Sequence, residues 1–113
     1  MLLFVYGTLK RGERNHRLLA GQRFVGPGTT ATGFRLFDLG PYPGMVRAAG
    51  GAVRGELFEV FDRCREELDE FEGVPTLFDR VTIELADGTR ASAYLYVRPI
   101  PADAPSGEEW PFA

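Results

Sequence analysis

Residues 81–97 constrain the fold more than any other stretch. Val81, Ile83 and Leu85 alternate with Thr82 and Glu84 before Asp87-Gly88; Ala91, Ala93, Leu95 and Val97 alternate with Ser92, Tyr94 and Tyr96 after it. Period-two alternation on both sides of an Asp-Gly turn predicts a β-hairpin. The remaining chain is punctuated in the same way, since Gly 14 and Pro 8 fall between short apolar runs. That pattern favours many strands and tight turns over a helical bundle. Residues 2–6 read as a buried strand, short, apolar and closed by Gly7. Residues 23–25 and 32–39 read as strands divided by Gly26-Pro27-Gly28, and residues 53–60 as another. Residues 15–20 are expected to form a short helix capped by Asn15. Gly40-Pro41-Tyr42-Pro43-Gly44 reads as a rigid loop, because two prolines fix φ around an aromatic residue.

One segment has a helical period. Phe61, Cys64, Leu68 and Phe71 are spaced 3, 4 and 3, which lays one apolar stripe on a helix. Asp62 is expected to cap its start, and Gly73 and Pro75 to stop it. Many strands with one substantial helix predict an α+β fold, a sheet or small barrel closed over that helix. The length of 113 residues fits a single domain, residues 1–113. Within it, residues 99–113 form a Pro-rich, acidic tail expected to be irregular, with Trp110 folding back.

The totals exclude several functions. A net charge of −3 without a basic stripe gives no electrostatic basis for nucleic-acid binding. A single cysteine rules out an internal disulfide or a cysteine-rich zinc site, and the only histidine, His16, has no second histidine to share a metal. No apolar run approaches the roughly 20 residues that span a bilayer. The first residues lack the basic start of a signal peptide, so a soluble, reducing, cytoplasmic setting is expected. Oligomeric state has no signature in the sequence.

Two places depart from plain structural logic. The helix carries Glu66, Glu67, Asp69, Glu70 and Glu72. Glu66, Asp69 and Glu70 read as a solvated face. Glu72 lies roughly 60° from the middle of the apolar stripe, nearer than any other acid on the helix. It also occupies the helix C-terminus, where the macrodipole disfavours negative charge. Partial burial, the dipole and neighbouring carboxylates would all raise its pKa and make it a proton acceptor near neutral pH. The second place is Gly7-Thr8-Leu9, where consecutive backbone N–H groups leaving a strand can form an anion-binding concavity. A carboxylate or a phosphate would suit it equally, and no Gly-x-x-x-x-Gly-Lys phosphate loop is present. Each place also has a bland reading: a glutamate snorkelling to water, and an ordinary strand-to-loop turn.

Together these places resemble a known family. VYGTLKRG followed by Asn15-His16, then GPYPGMV, VRGELFEV and LDEFEGVPTLFDR, resemble the γ-glutamylcyclotransferase superfamily, most nearly its γ-glutamylamine cyclotransferase-like branch. The likeness runs in order from Leu3 to about Val97. It implies a small mixed β-barrel with flanking helices and no metal or organic cofactor. It implies that Tyr6, Gly7, Thr8 and Leu9 hold the α-carboxylate of a small γ-glutamyl substrate, and that Glu72 is the general base. The implied reaction is an intramolecular aminolysis, of lyase or acyltransferase type, that releases 5-oxoproline and a free amine or amino acid.

One residue departs from the pattern. Many relatives place tyrosine where this chain has Phe78, ahead of Asp79 and Arg80. Tyr94 and Tyr96 are candidates to compensate, although alternation also explains them as surface aromatics. Arg80 reads as a structural partner of Asp79 or a helix acid, His16 as polar support of the N-terminal loop, and Cys64 as a small hydrophobe. The alternative function on the same fold is a non-catalytic module that binds a small carboxylate or a partner. Which amine would leave depends on the mouth of the pocket, shaped by loops such as residues 40–44 and by the tail.

Overall fold

The first strand, β1 (Leu2–Val5), serves two hydrophobic clusters at once, and the architecture follows from that. Side chains of a strand alternate between faces. Phe4 and Tyr6 enter one cluster with Leu36, Met45, Ile83 and Ala93; Leu3 and Val5 enter the other with Phe58, Cys64 and Leu68. A strand buried on both sides needs apolar residues at every position, so this run shows no alternation.

The computed structural model describes residues 1–112. After β1 come a 3-10 helix at His16–Leu19, then β2 (Arg23–Thr29), β3 (Phe34–Asp38), β4 (Pro43–Arg47) and β5 (Arg54–Glu59). The helix α1 (Asp62–Phe71) leads to β6 (Phe78–Glu84), β7 (Arg90–Tyr96) and β8 (Ser106–Gly107). The sheet runs β2-β5-β1-β7-β4-β3-β8, with β6 also paired to β7. The expected β6–β7 hairpin forms, with Val81 opposite Ala93 and Ile83 opposite Ala91. β7 pairs in parallel with β1 at Ser92 and with β4 at Leu95, so these two strands share its remaining edge. A bridge between Thr30 and Leu85 joins the ends of β2 and β6. It is flanked by Ala31 N donating to Glu84 O and Ala86 N donating to Thr29 O, both at 2.9 Å. The bridge closes a ring of β2, β5, β1, β7 and β6, the small mixed barrel, with β4, β3 and β8 extending from it. Inside, fully buried Thr30 accepts a 2.9 Å hydrogen bond from Val53 N through Oγ1.

α1 covers the outer side of the barrel through buried Cys64 and Leu68. The Cys64 thiol donates to Leu18 O of the 3-10 helix at 3.4 Å, in keeping with a structural role. Several expectations need correction. Phe61 and Phe71 are 72% and 46% exposed, so the buried stripe is shorter than its period suggests. Phe61 takes the N-cap position without any side-chain cap, and Asp62 is already helical. Asn15 holds the N-cap position of the 3-10 helix as expected but makes no side-chain cap, its amide donating to Thr8 instead. Gly26-Pro27-Gly28 lies inside β2 rather than between strands, its irregularity absorbed by a register shift between Phe24 and Gly26. Proline is tolerated there because β2 ends the strand order and most of its outer edge needs no N–H donor. β4 starts at Pro43, within the expected loop, and the tail contributes β8, which pairs Ser106 with Phe37 of β3. Trp110 does fold back onto the inner cluster, and Ala113 lies outside the described residues. Gly73, at φ 65°, ends the helix region as expected.

Leu68 is 1% exposed between α1 and the barrel. Leu68→Ala is expected to cost about 2–5 kcal/mol, read from urea denaturation, whereas Glu66→Ala on the exposed face should stay within about 0.5 kcal/mol of wild type.

Candidate active site

The turn after β1 is shaped by a close approach. A Cβ on Gly7 would lie 2.8 Å from Pro43 Cγ, so only glycine lets the residue 40–44 loop pack against this turn. The carbonyls that follow are all engaged: Gly7 O accepts from Lys10 N at 3.1 Å, and Thr8 O from Asn15 N at 3.0 Å. Leu9 O lies 2.9 Å from His16 Nδ1, which carries the proton there. The N–H groups of Gly7, Thr8 and Leu9, by contrast, donate to no acceptor among the described residues. Three consecutive residues thus spend their acceptors on the protein and keep their donors free, as an anion-binding concavity requires. Asn15 Nδ2 donates to Thr8 Oγ1 at 3.0 Å, which leaves the threonine hydroxyl hydrogen free to join them.

The Tyr6 side chain is committed elsewhere. Its hydroxyl donates to Tyr94 O at 2.6 Å and accepts from Met45 N at 3.2 Å. Burial pushes this phenol far above its usual range. The ring therefore bolts the end of β1 to β7 and β4, and its hydroxyl hydrogen is committed.

Glu72 follows the last turn of α1, its N–H donating to Leu68 O at 2.8 Å. Its side chain lines a cavity of about 290 Å³, together with Gly7, Thr8, Leu9, Tyr42 and Phe78. That volume sits at the small end of ligand sites, which run from roughly 300 to 1,000 Å³. No hydrogen bond or ion pair holds the Glu72 carboxylate among the described residues. Burial alone pushes its pKa up to about 7.

Asp69, one turn earlier, corrects the expectation of a solvated face. Its oxygens accept from Arg80 Nε at 2.9 Å and Nη2 at 3.3 Å, and from the Tyr94 hydroxyl at 2.7 Å. Arg65 adds an ion pair at 3.6 Å. Burial pushes Asp69 up, but the bonds from Arg80 and Tyr94 outweigh it and hold the carboxyl below its ordinary value. Arg80 is therefore a structural partner of a helix acid, as expected. Tyr94 is buried rather than a surface aromatic. The sequence reading missed Tyr42 and Arg14 as lining residues. Their only signal was indirect: Tyr42 stands between two prolines, and Arg14, which donates to Pro41 O, precedes Asn15. Residues 41–43 line the cavity, but no tail residue among those described does.

The burial of Glu72 has a measurable consequence. A carboxyl that holds its proton more tightly when folded costs stability as pH rises from its unfolded value toward about 7. Glu72→Gln should match wild type near pH 4 and exceed it at pH 8 by on the order of 2–3 kcal/mol, measured by denaturant titration at both values. A Gly7→Ala variant should lose about 1–3 kcal/mol of stability in the same titration, because its Cβ would lie 2.8 Å from Pro43 Cγ.

Known proteins match this description. The family model described as "Gamma-glutamyl cyclotransferase, AIG2-like" matches residues 3–112. A relative from Vibrio cholerae is 41% identical over 96 residues, which cover 85% of this chain and 80% of that protein. The γ-glutamylaminecyclotransferase of Rattus norvegicus is 36% identical over 92 residues, 74% of this chain. This chain spans 62% of the length of that rat protein. The crystal structure of an AIG2-like protein from Mus musculus superposes with a TM-score of 0.87 at 28% identity, covering 96% of this chain and 86% of that one. The solution structure of ytfP from Escherichia coli gives 0.74 at 30% identity, covering 98% and 96%. With the family model spanning nearly every residue, and with the fold shared with a solved AIG2-like protein, the chain belongs to the gamma-glutamyl cyclotransferase, AIG2-like family of enzymes.

Proposed function

We propose that this protein converts a γ-glutamyl amine or short γ-glutamyl peptide into 5-oxoproline and a free amine or amino acid. The observation that carries the reading is the pairing, within one small cavity, of an unpartnered, desolvated Glu72 with the three unpartnered N–H groups of Gly7, Thr8 and Leu9. Family membership and the name of the rat relative support the choice of substrate.

The turn holds the α-carboxylate of the substrate, with the Thr8 hydroxyl adding a fourth donor. Glu72 removes one proton from the α-ammonium. The freed amine attacks the γ-carbonyl carbon, forming a C–N bond and a tetrahedral oxyanion. In that adduct the attacking nitrogen still carries two hydrogens and a positive charge, and it gives up a second proton as the lactam N–H forms. Collapse breaks the original γ-amide bond, Glu72 returns its proton to the departing nitrogen, and the second proton ends there too, so the amine leaves as an ammonium. Two protons leave the α-nitrogen and two reach the leaving group, with one carboxyl serving as base and then acid. Folding the substrate so that amine and carbonyl meet contributes roughly 7–11 kcal/mol in favourable cases.

The test is release of 5-oxoproline from a panel of γ-glutamyl compounds, followed by mass spectrometry. Wild type should turn over at least one compound, and Glu72→Gln should lose activity while keeping its fold. The rate should fall as pH drops below about 7, where Glu72 becomes protonated. Equal turnover by the glutamine variant would remove Glu72 from the chemistry.

A further inference from the structure

Cyclisation places negative charge on the γ-carbonyl oxygen, and that oxygen needs a donor. The backbone donors of the turn after β1 are taken up by the α-carboxylate in the reading above. Four tyrosines could supply a hydroxyl. Tyr6 spends its hydrogen on Tyr94 O, and Tyr94 spends its own on Asp69. Tyr96 packs edge-on against Phe78, ring centres 5.3 Å apart, and does not line the cavity. Tyr42 does line it, and its hydroxyl makes no hydrogen bond among the described residues.

The position of Tyr42 is fixed by its neighbours. Pro41 and Pro43 restrict the backbone on either side. Pro43 packs where Gly7 has no side chain, which seats the loop directly on the carboxylate-binding turn. On its far side Gly44 leaves room for the Tyr96 ring, since a Cβ there would lie 2.8 Å from Tyr96 Cβ. The Tyr42 ring rests against Phe78 at 5.8 Å between centres. Phe78 therefore presents an apolar face that orients a hydroxyl rather than supplying one. Burial first, then Tyr96 and the charge of Glu72, raise the Tyr42 phenol above its usual value, so it stays protonated as a donor must. The other polar side chains of the lining outside the helix are Tyr6 and Tyr94, whose hydroxyl hydrogens are spent, and Thr8, Arg14 and Asn15, which all belong to the loop after β1. Tyr42 comes from a separate loop, residues 40–44.

We propose that the Tyr42 hydroxyl is a catalytic group of this enzyme, donating the hydrogen bond that stabilises the oxyanion formed on the γ-carbonyl. The assignment rests on the cyclotransferase reading above. A donor preorganised where charge develops acts on the transition state more than on the bound substrate, and removing one commonly costs 10²–10³ in rate.

The experiment compares wild type, Tyr42→Phe and Glu72→Gln on one accepted γ-glutamyl substrate. Tyr42→Phe keeps the ring against Phe78 and removes only the hydroxyl. It should lower kcat about 100-fold, leave KM within about threefold, and leave the thermal midpoint unchanged. The acid limb of its pH profile should keep its position, because Glu72 still sets it. A kcat within threefold of wild type would overturn the assignment while leaving the cyclotransferase reading intact. So would a raised KM at unchanged kcat, which would mark the hydroxyl as a ground-state contact. A wild type inert toward the whole panel would overturn both.

Discussion

The structure depends on β1 being enclosed from both sides. The barrel interior claims Phe4 and Tyr6, and the layer under α1 claims Leu3 and Val5. Because the strand cannot shift without exposing one cluster, its exit at Gly7 is fixed in space. Because α1 is docked on the outer cluster through Leu68, the end of that helix is fixed too. Glu72 and the turn at Gly7, Thr8 and Leu9 meet at one cavity because two separate cores hold their elements in place. The rigidity of the site is a by-product of burial.

Two carboxylates, one on α1 and one at its C-cap, show how environment divides labour. Asp69 accepts bonds from Arg80 and Tyr94 and sits below its ordinary pKa; Glu72, three residues on, has no partner and is raised to about 7. Asp69 ties α1 to the β6–β7 hairpin, a fixed ion pair that resists titration near neutral pH. Glu72 is left able to gain and lose a proton there, which is what a base that later acts as an acid requires. The same network withdraws Tyr94 from chemistry by taking its hydroxyl hydrogen.

Much of this was legible in the chain, and the failures have physical reasons. Alternation around Asp87-Gly88 revealed the hairpin, though not the start of its first strand at Phe78, because a half-buried strand writes its two faces in period two. The offset of Glu72 from the apolar stripe marked a carboxyl drawn toward the buried side. Asp69 was misread because nothing local tells which helix acid Arg80 pairs with, or that Tyr94 on β7 reaches the same carboxylate. Gly26-Pro27-Gly28 looked like a break because punctuation signals cannot distinguish a turn from a bulged edge strand. Phe61 and Phe71 fit the helical period, but they stand at the two ends of α1, where Phe61 is exposed and Phe71 lines the cavity rather than the core. Tyr42 was invisible as a site residue because its reach across the turn depends on glycines at positions 7 and 44.

The central claim is that burial alone, without a charged partner, keeps Glu72 poised to exchange a proton near neutral pH. The direct measurement is a carbon-13 NMR titration of its side-chain carboxyl in the free protein, assigned by comparison with Glu72→Gln. The account predicts a midpoint near 7, well separated from the exposed glutamates. A midpoint near the ordinary glutamate value of about 4.3 would contradict it.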